Sequence, residues 1–273
     1  MSSLPLQGRS VVVTGARGIA AACARTAAAD GARVFVVAKN SVECAELLAE
    51  LGGTDHGYAL ADLTSEAQAV EAFDQAHQTL GRVDGLLAVA GGSGRRFGDG
   101  PTHEITSEGW QETLALNLTT TFLAARAVVG KMINQKRNAG GRGSIVLMSS
   151  ILAVAPDGVH FPTHAYAAAK GAIIALGTTM AAYYAPHGVR VNVVAPALVD
   201  TPMSTRAASD SATLGYARWK QPLSRGLLDP DAVAATMVFL LSDRARNVTG
   251  QLIGVDGGWS VTAAPPEEES DVG

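Results

Sequence analysis

Short continuous apolar runs alternate along the chain with longer stretches in which apolar residues recur at helical spacing. Ser10 to Thr14, Arg33 to Ala38, Tyr58 to Ala61, Val83 to Ala90, Gly143 to Met148, Val189 to Ala195 and Leu252 to Val255 are such runs, mostly rich in Val, Ile and Leu. Runs of this kind predict strands buried on both faces of a parallel sheet. Between them, helices are predicted over Ile19 to Asp30, from an N-cap at Ser41 to Leu51, and from a cap at Thr64 to Leu80. A long helix is predicted from Ser107 through Asn117 to Gln135, and others over His164 to Ala185 and Asp229 to Leu241. Thr201 to Lys220 reads as a helical, mobile excursion. Strands alternating with helices imply an α/β protein whose sheet is covered on both faces. No linker or internal repeat divides the chain, so one domain is expected.

Composition narrows the function. With 273 residues, 47% hydrophobic and 17% charged, the chain can bury a sizeable core. A net charge of −4 offers no electrostatic footprint for nucleic acid or an anionic membrane. Met1 to Arg9 lacks the features of a signal peptide, and no apolar run reaches bilayer-spanning length, so a soluble cytoplasmic protein is expected. Cys23 and Cys44 fall in helical stretches without metal-ligand spacing and read as reduced structural thiols.

Two clusters carry chemistry. The first strand empties into Gly15-Ala16-Arg17-Gly18 and then Ile19, the head of a helix. This arrangement presents backbone N–H groups to a phosphate at the first βα crossing, where a dinucleotide's pyrophosphate would lie. A glycine turn also serves ordinary chain reversal, and alone it decides little. The sequence has no Gly-Lys-Ser/Thr phosphate loop, which argues against a nucleoside triphosphatase. The second cluster is Ala165 to Ala172, where Tyr166 and Lys170 stand one helical turn apart among Ala and Gly. A neighbouring cation favours the phenolate and moves its pKa from ~10 toward the range of a general acid/base. From the pair alone, a core tyrosine beside a solvated lysine reads equally well.

With further markers in the same order, the chain resembles the short-chain dehydrogenase/reductase family from about Gln7 to Val261. Those markers are Thr14-Gly15, Asp62-Leu63 after the third strand, Asn117, Ser150, Asn192 to Pro196 followed by Thr201, Gly250-Gln251 and Val255-Asp256-Gly257-Gly258. The resemblance implies a Rossmann-type doubly wound parallel sheet in a single domain over residues 7–261. A polar tail over 262–273, with Pro265-Pro266-Glu267-Glu268-Glu269, is expected to be disordered. The implied activity is hydride transfer between a nicotinamide coenzyme and a small-molecule carbonyl or secondary alcohol. By the same resemblance, Tyr166 is the acid/base, while Lys170 lowers its pKa and bonds the nicotinamide ribose. Ser150 orients the substrate oxygen, with Ser149 as a rival, and Asn117 holds a water that links Lys170 to solvent. The coenzyme is expected along Gly15, Arg17, Gly18, Ile19, Lys39, Asp62, Leu63, Ala90, Gly91, Tyr166, Lys170, Val199 and Thr201. Family members commonly form tetramers, so a homotetramer or dimer is expected.

Coenzyme choice turns on charge at the end of the second strand. Val37-Ala38-Lys39-Asn40 has no acid there, and Arg17 sits in the glycine turn. Two cations and no carboxylate favour the 2′-phosphate of NADP, with NAD as the alternative.

The chain also departs from the family's pattern. Only Ala16-Arg17 separate Gly15 from Gly18, one residue fewer than usual, and Ala20 replaces the last glycine. Ala88-Val89-Ala90-Gly91 stands where the family has Asn-Asn-Ala-Gly, and Ala197 follows Pro196 where Gly is common. Ser150 lies farther before Tyr166 than usual, which predicts an enlarged loop over Pro156 to Pro162. These departures leave two other readings open: a catalytically weak relative that binds a dinucleotide for sensing or assembly, and an enzyme of this fold that uses NAD transiently.

Substrate choice is expected in Gly92 to Gly100, Ala153 to His164 and Thr201 to Lys220. Phe97, Trp110, Phe161, Met203, Tyr216 and Trp219 are candidate apolar lining; Arg95-Arg96 on the Gly-rich loop reads as a solvated rim, with contact to an anionic substrate as the alternative. His160 and His164 flank Pro162, need not share a helix face, and read as loop residues rather than metal ligands.

Overall fold

A computed structural model describes residues 4–263. The expected tail lies outside the described residues from position 264 onward. Thr262, at its start, is held in place: its carbonyl accepts from Lys220 Nζ at 2.8 Å. The strands are β1 (Ser10–Thr14), β2 (Arg33–Ala38), β3 (Gly57–Leu60), β4 (Gly85–Ala88), β5 (Gly143–Met148), β6 (Val189–Pro196) and β7 (Leu252–Val255). They form one sheet in the order β3-β2-β1-β4-β5-β6-β7, every neighbouring pair parallel. The helices are α1 (Ile19–Ala29), α2 (Ser41–Leu51), α3 (Glu66–Leu80), α4 (Ser107–Leu114), α5 (Thr120–Asn134), α6 (His164–Tyr184), α7 (Thr205–Ser209), α8 (Ser211–Lys220) and α9 (Pro230–Leu241).

Alternation along the strands feeds two cores. Val11 and Val13 of β1 point into the core built with α1, α2 and α9, and Val12 points into the core built with α3, α5 and α6. The free thiols Cys23 and Cys44 are buried in the first core, where Cys23 Sγ lies 3.7 Å from Met237 Sδ. The chain winds outward from β1 to β2 and β3, then crosses to β4 on the other side. That reversal opens a crevice at the carboxyl ends of the strands, the place where this architecture takes ligands.

Several local expectations shift, each for an identifiable reason. The cap of α2 is Asn40 rather than Ser41, because Asn40 Oδ1 accepts from Val42 and Glu43 N–H at 3.0 and 3.3 Å. Thr64 is not the cap of α3: its hydroxyl donates to Asp62 Oδ1 at 2.6 Å, and the helix starts at Glu66 behind Ser65. Strand β3 sits one residue earlier than predicted. Strand β4 is shorter than predicted, since the N–H groups of Val89 and Ala90 both leave the ladder to donate to Thr14 Oγ1 at 3.0 Å. The long helix is broken by a π-helical turn, Ala115–Thr119, centred on Asn117. Contrary to the reading of the apolar runs, the helical stretches Ser107–Asn134 and His164–Tyr184 are long and apolar enough to cross a bilayer. Both, however, lay residues such as Leu123, Val128 and Ile173 into the core against the sheet.

Helix α6 lies unusually close to β6. A Cβ on Gly177 would overlap the Val193 side chain, whereas one on Gly171 of the same helix would meet nothing within 4 Å. Gly177→Ala is therefore expected to destabilise the fold by about 1–3 kcal/mol. Gly171→Ala is expected to stabilise it by up to about 1 kcal/mol through helix propensity. Denaturant unfolding of the two variants side by side checks the pair.

Candidate active site

A cavity of about 370 Å³ occupies the crevice. Gly18 and Ile19 from the start of α1, Gly91 after β4, Ser150 after β5, Tyr166 and Lys170 from α6, and Val199 and Thr201 after β6 all line it. Gly15, Lys39, Asp62, Leu63, Ala90 and Asn117, also expected at the site, are not part of its wall.

Tyr166 and Lys170 share a helix face, with the ammonium 5.5 Å from the centre of the phenol ring. Lys170 is buried and donates to the Met148 carbonyl at 3.0 Å. It has no carboxylate partner among the described residues, and burial pushes its pKa down to about 8. Burial likewise pushes the Tyr166 phenol above its ordinary value, with a hydrogen bond from Ser150 acting in the opposite sense. The expectation that Lys170 depresses Tyr166 is thus corrected. In this geometry desolvation of the phenolate dominates, and the lysine is the group brought toward neutrality.

Both serines after β5 line the cavity, but their hydroxyls have different partners. Ser149 Oγ donates to the Lys170 carbonyl at 2.8 Å and ties α6 to the sheet. Ser150 turns into the cavity beside Tyr166 and accepts from Leu152 N–H at 3.3 Å.

Asn117 is fully buried and fully engaged. Its Nδ2 donates to the carbonyls of Gly92 and Thr113 at 3.0 Å, and its Oδ1 accepts from Gly92 N–H at 3.1 Å. It clamps the loop after β4, and Gly91 has no room for a Cβ, which would lie 2.8 Å from Asn117 Oδ1 and 3.6 Å from Lys170 Nζ. Its backbone carbonyl is also taken, accepting from the Thr121 hydroxyl at 2.8 Å. The side chain therefore positions Gly91-Gly92 against Lys170 rather than facing the open cavity.

Asp99 went unnoticed in the sequence. Its Oδ1 and Oδ2 accept from the N–H groups of Ala165 and Tyr166 at 2.9 and 3.0 Å, capping α6 from a loop far away in sequence. No local pattern marks such a cap, since donor and acceptor come from different elements.

At the glycine turn, the missing residue and Ala20 are absorbed together. Gly15 has φ +96°, and a Cβ added to it would lie 3.1 Å from the Ala20 methyl, so the bare position 15 makes room for the methyl at 20. The charge inventory changes too. Arg17 pairs with Glu43 of α2 at 3.2 Å, and Lys39 pairs with Asp62 at 2.8 Å. Asp62 is held below the usual carboxylate range, at about 2: hydrogen bonds from Lys39 and Thr64 outweigh the opposing effect of its partial burial. The picture of two cations without a carboxylate is corrected, because the fold brings Glu43 and Asp62 to them.

The enlarged loop is present and packs on the later excursion. His160 stacks on Tyr216 at 4.1 Å, Phe161 meets Trp259 edge-on at 5.8 Å, and Trp259 Nε1 donates to the Ala155 carbonyl at 3.1 Å. Of the expected apolar lining, Phe161 and Met203 face the cavity, joined by Leu152 and Trp259. Tyr216 and Trp219 belong to the aromatic cluster behind it, Trp110 is exposed, and Phe97 lies under the Arg96 guanidinium. His160 and His164 have separate partners, Asp157 and Thr102.

Residues 13–260 match the family model described as enoyl-(acyl carrier protein) reductase. The chain belongs to the short-chain dehydrogenase/reductase family. Like other short-chain dehydrogenases/reductases, it is an oxidoreductase built to use a nicotinamide dinucleotide. It is 36% identical to 2-(S)-hydroxypropyl-CoM dehydrogenase 3 of Xanthobacter autotrophicus, over 93% of this chain and 97% of that one. It is 37% identical to the inactive 2-(S)-hydroxypropyl-CoM dehydrogenase 2 of the same organism, over 86% and 98%. A solved short-chain type dehydrogenase/reductase from Mycobacterium ulcerans superposes with a TM-score of 0.84 at 32% identity, over 95% of this chain and 92% of that one.

The residues present fit such a coenzyme. Gly18 and Gly91 leave room that a Cβ would fill, and the Lys170 ammonium, with three hydrogens, has one protein hydrogen-bond acceptor.

The buried lysine has a measurable consequence. Its native pKa of about 8 lies below the ordinary 10.5, so between those values the unfolded chain binds the proton more strongly and stability rises with pH. Below pH ~8 the cost of the buried charge is fully present. Lys170→Met is expected to raise stability at pH 7 by up to about 3 kcal/mol. The variant's advantage should shrink as pH rises from 8 to 10, as read by urea unfolding of both proteins across that range.

Proposed function

We propose that this chain transfers a hydride between NADP(H) and a small-molecule carbonyl or secondary alcohol, with Tyr166 as general acid/base. The observation that carries this reading is the convergence of Ser150, Tyr166 and Lys170 from two elements on one cavity that also reaches the head of α1. When bound, the nicotinamide supplies or accepts the hydride. In the reducing direction Ser150 donates a hydrogen bond to the substrate oxygen and holds it beside Tyr166. Tyr166 Oη gives its proton to that oxygen as negative charge develops on it. A phenol kept protonated by its burial is suited to that donation. In the oxidising direction the phenolate takes the alcohol proton, and the Lys170 ammonium, with hydrogens to spare, would bond the nicotinamide ribose. Asn117 holds Gly91-Gly92 against Lys170, and Asp99 fixes the height of Tyr166 through the cap of α6.

The coenzyme preference rests on Ala38 at the end of β2 and on Arg17 and Lys39 near it. A 2′-phosphate would share these cations with Glu43 and Asp62, both held in exposed pairs that are worth little in water. Self-association is assigned to the α5–α6 side, where Phe122 and Tyr183 are exposed on apolar helices.

Tyr166→Phe is expected to bind NADPH as the parent does, by fluorescence titration, and to lose roughly 10²–10⁴ of its turnover. Undiminished turnover, or no binding at millimolar NADPH in the parent, overturns the reading. Lys39→Ala is expected to lower kcat/KM for NADPH roughly tenfold relative to NADH, the loss of one charge-assisted contact. A steady-state comparison with both coenzymes decides it.

A further inference from the structure

Two guanidinium groups in the cavity wall are unused by the chemistry above. Arg95 stands on the 3₁₀ turn Gly94–Phe97, and Arg206 stands on α7. Unlike Arg17 and Lys39, neither has an ion-pair partner among the described residues. Arg95 is half-buried, and its Nη2 is buried without any hydrogen-bond partner. The nearby carboxylates are committed elsewhere: Asp99 accepts from two N–H groups of α6, and Asp210 accepts from Thr213 N–H at 2.9 Å. Burial and the positive charge of Arg206 push the Arg95 pKa down and outweigh the opposing charge of Asp99, so the two cations are placed together at a cost. A shared anion removes that cost.

The Arg95 turn is also built to stay where it is. A Cβ on Gly94 would overlap the Thr113 side chain, and one on Gly109 would overlap the Phe97 carbonyl, so the turn lies hard against α4. Its amide donates to Ser93 Oγ at 3.3 Å. The same loop continues to Asp99, the cap of the Tyr166 helix, which links the guanidinium's position to that of the acid/base.

We propose that Arg95 and Arg206 form an anion-recognition subsite, so that the substrate carries an oxyanion group, a carboxylate or sulfonate, away from the carbon that exchanges the hydride. This rests on the carbonyl/alcohol reading above and names the substrate class for it. A planar guanidinium donates to two oxygens of such a group at once, and a second guanidinium completes the charge balance.

The test uses matched probes. With NADPH, 4-oxopentanoate and its methyl ester are compared as substrates for the parent, Arg95→Gln, Arg206→Gln, Arg95→Lys and Arg96→Gln. The parent is expected to favour the acid over the ester by about 10- to 100-fold in kcat/KM, the worth of a charge-assisted hydrogen bond. That ratio should collapse toward one in Arg95→Gln, mainly through KM, and fall in Arg206→Gln. It should be partly restored by lysine at 95 and kept by Arg96→Gln, since Arg96 lies over the Phe97 ring outside the cavity wall. An acid-to-ester ratio near one in the parent, or one untouched by either cavity-lining variant, overturns the proposal. So does a loss of NADPH affinity in Arg95→Gln with the ratio intact, which would assign the guanidinium to the coenzyme.

Calorimetry with the unreactive probes pentanoate, butane-1-sulfonate and methyl pentanoate reads the subsite without turnover. The two anions should bind the parent at least tenfold more tightly than Arg95→Gln, and the ester should show no such difference. Anion binding with no turnover of any ketone would refute the oxidoreductase reading and leave the subsite standing. Turnover without anion preference would do the reverse.

Discussion

Asp99 meets the first turn of α6 with both carboxylate oxygens, on the N–H groups of Ala165 and Tyr166 at 2.9 and 3.0 Å. The site depends on this contact because it fixes the first turn of α6 at the residue that carries the phenol. A carboxylate at a helix N-terminus satisfies orphan donors and opposes the positive end of the macrodipole. Farther along, Ser149 Oγ grips the Lys170 carbonyl at 2.8 Å, and Gly177 lets the helix backbone settle onto Val193. Three attachments along one rigid helix leave it little freedom to slide or rotate. The proton transfer proposed for Tyr166 needs such rigidity, since a misplacement of about 1 Å can cost roughly 10²-fold in rate.

The charges of the cleft fall into two kinds, and the difference is burial. Around the head of α1 and the end of β2, Arg17 and Lys39 are exposed, and each already has a carboxylate within 3.2 Å. Such pairs open and re-form at small cost, and an incoming phosphate can compete for them. Deeper in, Lys170 has a single carbonyl as partner, and Arg95 keeps a buried donor with none. An unpaired buried cation costs stability that the rest of the fold must supply. Of the groups held at such a cost, Lys170 and Arg95 are the ones that line the cavity, where a bound molecule can reach them.

Much of this was legible in the residues, and the boundary is physical. β1, β2 and β5 fell where continuous apolar runs put them, because strands buried on both faces need apolar side chains at nearly every position, and the edge strand β7 fell on its own short apolar run. The pair Tyr166 and Lys170 was visible because helical spacing alone brings it onto one face. Caps were harder: Asn40 displaced Ser41 and Ser65 displaced Thr64, since several neighbouring polar residues could each fill the position. The π turn at Asn117 left no mark, because the side chain that stabilises it bonds to Gly92, on another element. Glu43, Asp99, Arg206 and Trp259 were missed for the same reason. Each acts across a gap in sequence that only the folded chain closes. The direction of the Tyr166 pKa was misjudged because proximity to Lys170 can be inferred from spacing, whereas the competing desolvation depends on what covers both groups.

The departures from the family's pattern resolve into compensated arrangements. With only Ala16 and Arg17 between the turn glycines, the arginine stands immediately before Gly18, and its side chain runs to α2, where Glu43 takes it. The methyl of Ala20, placed where the family keeps a bare backbone, faces Gly15 across the same turn. Where the family has asparagines after β4, Ala88 and Val89 offer no side-chain amide, and the backbone there is held by the Thr14 hydroxyl, which accepts from Val89 and Ala90 N–H at 3.0 Å. These three changes sit on the α1 side of the crevice, whereas the enlarged loop over 156–162 and Ala197 lie toward α6 and after β6. β1 and β5 carry the two halves of the crevice on separate strands, so the glycine turn can change without displacing α6.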